Sequence, residues 1–162
     1  MDIDMAVTPE FLTHLLDEEN ALQFPGFDNA TAFALGQAAM DRAAVQGLPV
    51  AVLIRRSGQR IFQASLPGTS PDNDSWLDRK SRLTERLGHS SYYLRNLAAG
   101  RGTTAEEMYQ LDPAHYAASG GAVPVIVSGT GMVGSITVSG LDQKDDHHFA
   151  VDTVRQFLAQ PR

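Results

Sequence analysis

Apolar residues recur along this chain in two rhythms, one of three and four positions and one of unbroken β-branched runs. Phe11, Leu12, Leu15, Leu16 and Leu22 have the first rhythm, which is that of a helix with one buried face. Thr8-Pro9-Glu10 stands before them, with Thr as N-cap, Pro at the first helical position and an acid in the first turn. Residues 1–7 lack any such pattern and read as a tail, and Pro25-Gly26 ends the element. Asp28 is placed to cap a second helix that runs to Gly47. Its apolar side is predicted to be Phe33, Gly36, Met40, Ala43 and Ala44, small enough for close approach to a sheet or another helix. Gly47 followed by Pro49 is a stop signal.

Val50 to Arg55 has the second rhythm and predicts a buried strand. Ser57-Gly58 is a turn, and Arg60 to Leu66 predicts the return strand of a first hairpin. Pro67 to Ser75 reads as a loop, followed by an amphipathic helix over Trp76 to Leu87. Trp76, Leu83 and Leu87 are expected on its inner side, with Arg79, Lys80, Arg82 and Arg86 at or beyond its edge. Short helices are predicted over Ser91 to Ala99 and after Thr104, which has capping-box spacing with Glu107. Asp112-Pro113 opens a further turn. Ala122 to Ser128 and Met132 to Ser139 predict a second hairpin about Gly129-Thr130-Gly131. Asp145 is placed to cap a last helix with Ala150, Val154, Phe157 and Leu158 on its buried side. Hairpins separated by helices predict an α+β domain, with helices packed on an antiparallel sheet.

The length of 162 residues suits one domain over 1–162, with 1–27 as an N-terminal tail and helix. No cysteine is present, which removes disulfides, thiolate metal or haem ligation and cysteine nucleophiles. The net charge of −6 argues against nucleic acid as a partner. That average hides an asymmetry. Residues 1–28 carry seven acids and no Lys or Arg, whereas residues 76–101 carry six Lys or Arg against Asp78 and Glu85. The acidic start has no basic n-region of a signal peptide. The uncharged stretch from Pro113 to Leu141 holds six glycines and two prolines, too diluted for a membrane span. A cytoplasmic protein is expected.

Among chemical motifs, Gly129-Thr-Gly-Met-Val-Gly134 fits G-x-G-x-x-G. The dinucleotide fingerprint needs a helix after it, and Ser-Ile-Thr-Val-Ser prefers strand, so a hairpin turn explains the glycines. No G-x-S-x-G elbow or H-E-x-x-H occurs. Asp145-Asp146-His147-His148 reads as acids complementing a helix start, and no metal site is assigned. The densest chemistry lies in Gly68 to Lys80. Asn and Asp fix the loop, Trp76 offers a flat face, and Arg79 offers a bidentate fork to an anion. A solvated cationic face around a core tryptophan explains the same residues.

Three blocks taken in order carry a resemblance. They are Phe62-Gln-Ala-Ser-Leu-Pro-Gly-Thr-Ser-Pro-Asp-Asn-Asp-Ser-Trp76-Leu-Asp-Arg-Lys80, Gly120-Gly-Ala-Val-Pro124, and Val138-Ser-Gly-Leu-Asp-Gln143 followed by Asp146-His147. Over residues 28–155 the chain resembles the HbpS/GlcG-like, haem-degrading-domain family, and within it a short cytosolic branch. The resemblance implies a profilin-like, three-layer arrangement with a central antiparallel sheet of about five strands flanked by helices. It also implies a homo-oligomer, with dimers assembled into a ring or cage, and it brings haem as a candidate cofactor. Without cysteine, haem would be held through oxygen or nitrogen ligands, or without iron ligation.

The expected function is that of an oligomeric small-molecule-binding protein for haem or another planar or anionic ligand. Its expected site is Asn73, Trp76, Arg79, Lys80, backbone amides near Gly120 and Gly121, and His147. Two alternatives stand beside it. One is a haem-degrading or small-acid enzyme drawing on His147, His89 and the Asp72–Asp74 loop. The other is an assembly or adaptor protein whose cationic helix meets the acidic N-terminal segment.

Overall fold

Thr8 accepts a hydrogen bond from the Phe11 amide and starts α1, Pro9–Asn20. Asp28 does the same for Thr31 and starts α2, Asn29–Gln46, which ends at Gly47 in the left-handed region. Both helices begin where the sequence predicts, because their caps are local devices. These elements belong to a computed structural model describing residues 7–161, so most of the predicted tail lies outside the described residues.

The first hairpin is β2, Ala51–Arg56, and β3, Gln59–Ser65. After it come α3, Pro71–Leu87, α4, Ser91–Gly100, and α5, Ala105–Met108. The second hairpin is β4, Ala122–Val127, and β5, Gly131–Ser139, and α6, Gln143–Ala159, closes the domain. Gly129 and Gly131 take positive φ at the hairpin tip, and the chain continues from them as strand, not as a nucleotide-binding helix.

With the two-residue strand β1, Gln23–Phe24, the sheet is mixed, open and five-stranded, in the order β1-β4-β5-β2-β3. This first strand pairs parallel with β4. The other neighbours are antiparallel, as expected. Strand side chains alternate between faces. Val52, Ile54, Val123, Val125, Ile136 and Val138 join a core cluster with Leu35 and Ala39 of α2 and Phe149 and Ala150 of α6. The alternate positions Ala51 and Leu53 pack on Leu77 of α3. Helices therefore cover both faces in three layers.

Three expectations about helices are corrected. α3 starts at Pro71 rather than Trp76, with Ser70 as N-cap and Asp72 and Asp74 in its first turn. Asp142 caps α6 through the Lys144 and Asp145 amides, so Asp145 lies inside the helix. The buried side of α2 is Ala32, Leu35, Gly36, Ala39 and Ala43, whereas Phe33 is 50% exposed and Ala44 faces solvent. Gly36 is needed there because a Cβ would enter the Phe62 ring.

Candidate functional site

The first turns of α3 and α6 meet beside the end of β5 and enclose a cleft of about 310 Å³. Asp72, Asn73, Trp76 and Lys80 supply the α3 wall, Ser139, Gly140 and Leu141 the β5 side, and Ser119, Gln143 and Asp146 the rest. Asn73 is fixed at both ends of its amide. Its Oδ1 accepts from the Ser70 amide at 2.9 Å, and its Nδ2 donates to Ser139 Oγ at 3.0 Å. Trp76 is half-buried and donates from Nε1 to Asp72 at 3.2 Å. The Arg79 guanidinium lies 4.2 Å from the centre of the indole, a cation–π contact, and its Nε donates to Ser75. Arg79 pairs with no carboxylate among the described residues; it does not itself line the cleft and adjoins it through the indole.

Lys80 departs most from its sequence reading. It is 2% exposed, not at the helix edge. Its Nζ donates to Gly120 O at 2.8 Å, Val138 O at 2.9 Å and Asp146 Oδ2 at 3.1 Å. Three acceptors match the three protons of an ammonium. Asp146 is also 2% exposed, and its Oδ1 accepts from the Leu141 amide at 2.9 Å. Burial lowers the Lys80 pKa and raises that of Asp146, while their mutual attraction opposes both shifts. One ion pair thus joins α3, the Gly120 turn, β5 and α6 under the cleft. Gly120 and Gly121 serve this pin: the Gly120 amide donates to Gln143 Oε1, and the Gly121 carbonyl accepts from Val138. The Gly120 amide is therefore not a free donor to the cleft.

His147 belongs to a different neighbourhood. It is 2% exposed, stacks on Tyr92 at 4.8 Å between ring centres, and holds Nε2 2.9 Å from Glu18 Oε1. Burial pushes the Glu18 carboxyl up, but His147, His148 and His14 outweigh it and leave its pKa below the ordinary value. The structure therefore brings Asn73, Trp76 and Lys80 together in the cleft wall, sets Arg79 on the indole and Gly120 and Gly121 beneath, and places His147 outside the wall. Sequence reasoning missed Asp146 as the partner of Lys80, together with Gln143 and Ser139. Gln143 and Asp146 already stood in the third resemblance block, which was the only available signal.

A second acid joins α1 to α4. Glu19, 5% exposed, accepts from the Ser90 amide at 2.7 Å and lies 2.7 Å from His89 Nδ1. The Glu19 hydrogen bond holds the His89 pKa above its ordinary value despite partial burial. A raised histidine pKa stabilises the fold fully below the unfolded value of about 6.5, and that contribution is lost as pH rises through the folded value. The ring is 41% exposed, so solvent screening keeps the effect small. Melting temperatures measured from about pH 5 to 8 should fall further in the parent protein than in His89→Gln. Parallel profiles would remove this role for His89.

The family model described as "Haem degrading protein HbpS-like" matches residues 27–155. The chain belongs to the HbpS-like family. Among curated relatives of this HbpS-like chain, a UPF0303 protein of Streptomyces avermitilis is 46% identical over 156 residues, covering 96% of each chain. A UPF0303 protein of Edwardsiella ictaluri is 42% identical over 149 residues, covering 92% of this chain and 95% of its own. Among solved structures, the Ybr137w protein superposes with a TM-score of 0.86 at 31% identity, over 93% of this chain and 90% of that one. HbpS itself superposes at 0.66 with 20% identity, over 85% and 94% of the two chains. The PduOC:heme complex superposes at 0.66 with 18% identity, over 80% and 92%. The last two likenesses concern the HbpS-like fold alone. Among the described residues no helix is long and apolar enough to cross a membrane.

Proposed function

We propose that this HbpS-like protein is an oligomeric binding protein for a small anionic molecule with a flat portion, held in the Trp76 cleft. The observation that carries this reading is the unpaired Arg79 guanidinium stacked on the indole that lines the cleft. A carboxylate or phosphate on the ligand meets Arg79, and the flat portion meets the indole edge. Lys80 supports the floor without contributing a free donor. Acid–base work in this wall has Asp72, Lys80 and Asp146 to draw on, and the last two are committed to each other, so binding is favoured over turnover.

Haem enters through the family description and the PduOC:heme complex. Iron-bound haem needs His, Tyr, Met or Cys as axial ligand, and the cleft wall contains none of these. The cleft does not fit an iron-ligated haem, and the proposed ligand here is smaller and more polar.

The oligomeric part of the proposal draws on the open edge of β3, whose outer backbone groups have no strand partner among the described residues. Half-exposed Phe33 lies edge-on to Phe62 of β3, 5.7 Å between ring centres, and adds an apolar contact for a second copy.

Trp76 is the single tryptophan, so indole fluorescence arises at this site. Titration with small aromatic carboxylates, inorganic phosphate and haemin should give saturable quenching for an anionic ligand. Arg79→Ala should weaken that binding by about tenfold or more. No saturable change, or equal affinity in Arg79→Ala, defeats the proposal. A haemin absorbance shift that persists in Arg79→Ala and Trp76→Phe assigns haem to another surface. Light scattering on the same sample reads the assembly mass, and a monomer's mass removes the oligomeric part.

A further inference from the structure

Glu18 on α1 and the consecutive His147 and His148 on α6 bring their ligand atoms within 4.8 Å of one another. They come from opposite ends of the chain and lie outside the cleft wall. Glu18 Oε1 and His147 Nε2 are 2.9 Å apart, and the two imidazoles stand edge to face with 5.5 Å between centres. A tetrahedral ion with bonds of about 2.0–2.2 Å separates neighbouring ligand atoms by roughly 3.3 Å. Small side-chain rotations therefore bring all three donors onto one ion.

We propose that Glu18, His147 and His148 form a binding site for a divalent ion of the zinc type. Two imidazoles and one carboxylate are the donor set of a borderline-soft ion, and three protein ligands leave a coordination position open. Three further observations favour this reading. His147 is almost wholly buried, yet its Nδ1 has no hydrogen-bond partner among the described residues. Burial fixes this ring so that Nε2 faces Glu18 and is the nitrogen placed to ligate, with Nδ1 as the ring's other nitrogen. His14 Nε2 stands 4.0 Å from Glu18 Oε2 on an exposed side chain, within reach as a fourth donor. His148 also lines a largely apolar cavity of about 330 Å³ with Phe11, Tyr92, Asn96 and Lys144, so the ion would sit at the wall of a sheltered space. One cation competes: Arg155 Nη2 lies 3.8 Å from Glu18 Oε2. It is half exposed and already pairs with Asp152 at 2.8 Å, so it can yield to an ion.

The test uses the full chain, stripped with a chelator and then titrated with Co²⁺ and Zn²⁺. Co²⁺ should give a saturable visible absorption band at one ion per chain, which Zn²⁺ displaces. His148→Ala should weaken binding by more than about tenfold, and the partly exposed position of His148 makes that change compatible with folding, checked by circular dichroism. If His148→Ala unfolds, His148→Gln and Glu18→Gln answer the same question. A chelator should lower the melting temperature of the Zn²⁺-loaded parent, because the ion ties α1 to α6. No saturable band, or a band kept in both His148 and Glu18 variants, overturns the site. A band lost only in His115→Ala, at the exposed Asp112–His115 pair, overturns it as well.

Discussion

Lys80→Met should cost about 3–5 kcal/mol of folding stability, the usual penalty for removing one partner of a buried ion pair. At about 2–4 °C per kcal/mol for a domain of this size, the melting temperature should fall by roughly 6–20 °C. The reason lies in what remains. Asp146 stays 2% exposed with its counter-charge gone, and the Gly120 and Val138 carbonyls lose their common donor. Burial works against both charges, lowering the lysine pKa and raising that of the aspartic acid. The pair is therefore a pin more than a source of net stability, and the loss comes from orphaning its partners. Lys80→Met combined with Asp146→Leu should recover part of the loss. Recovery stays incomplete because the Leu141 amide also loses its acceptor. Chemical denaturation of the two variants checks this. A Lys80→Met protein within about 1 kcal/mol of the parent would show that the ammonium is not pinned as described. The same result would return Lys80 to the list of free ligand-binding cations.

How far the fold was legible follows from how local each signal is. Thr8, Asp28 and Gly47 cap helices through neighbours three or four residues away, so reading them needs no tertiary knowledge. The hairpins are equally local. The start of α3 was legible but masked: Ser70-Pro71 carries the same N-cap and proline signature as Thr8-Pro9, and the surrounding Gly, Asp and Asn made it look like loop. β1 has two residues and owes its existence to a parallel partner about a hundred positions away, which no periodicity can signal. The site divides along the same line. Trp76 and Arg79 stand three positions apart on one helix and were readable as a unit. Lys80 looked like a surface lysine because the residue that neutralises it, Asp146, is 66 positions further on. His147 joins the expected Trp76 site through the third resemblance block, which ends on Asp146-His147. However, consecutive helical residues point about 100° apart, and His147 turns to Glu18, 129 positions away. Binary patterning cannot represent a buried polar side chain, and both failures concern one.

Gly121→Ala should be the other severe change, at about 2–6 kcal/mol. Gly121 has φ +137°, outside the range comfortable for a residue with a side chain. An added Cβ would collide with the Val138 carbonyl and come within 2.7 Å of Lys80 Nζ. Neither neighbour has room to retreat. Val138 is held in the sheet by its own amide, which donates to Gly121 O at 3.0 Å, and its carbonyl accepts from Lys80. Gly129→Ala separates conformational strain from collision. Gly129 also has positive φ, +78°, but an added Cβ there meets nothing within 4 Å, so its cost should stay near about 1–2 kcal/mol. Equal losses in the two alanine variants would mean that backbone conformation alone, not the packed pin, dictates glycine at position 121. The pin also predicts coupling. Once Lys80 is methionine, the Nζ contact and its hold on the Val138 carbonyl are gone, so Gly121→Ala should cost less than in the parent. Contacting residues of this kind depart from additivity by about 0.5–3 kcal/mol. Strict additivity across the Lys80–Gly121 cycle would separate the glycine turn from the ion pair and leave the cleft floor without its common support.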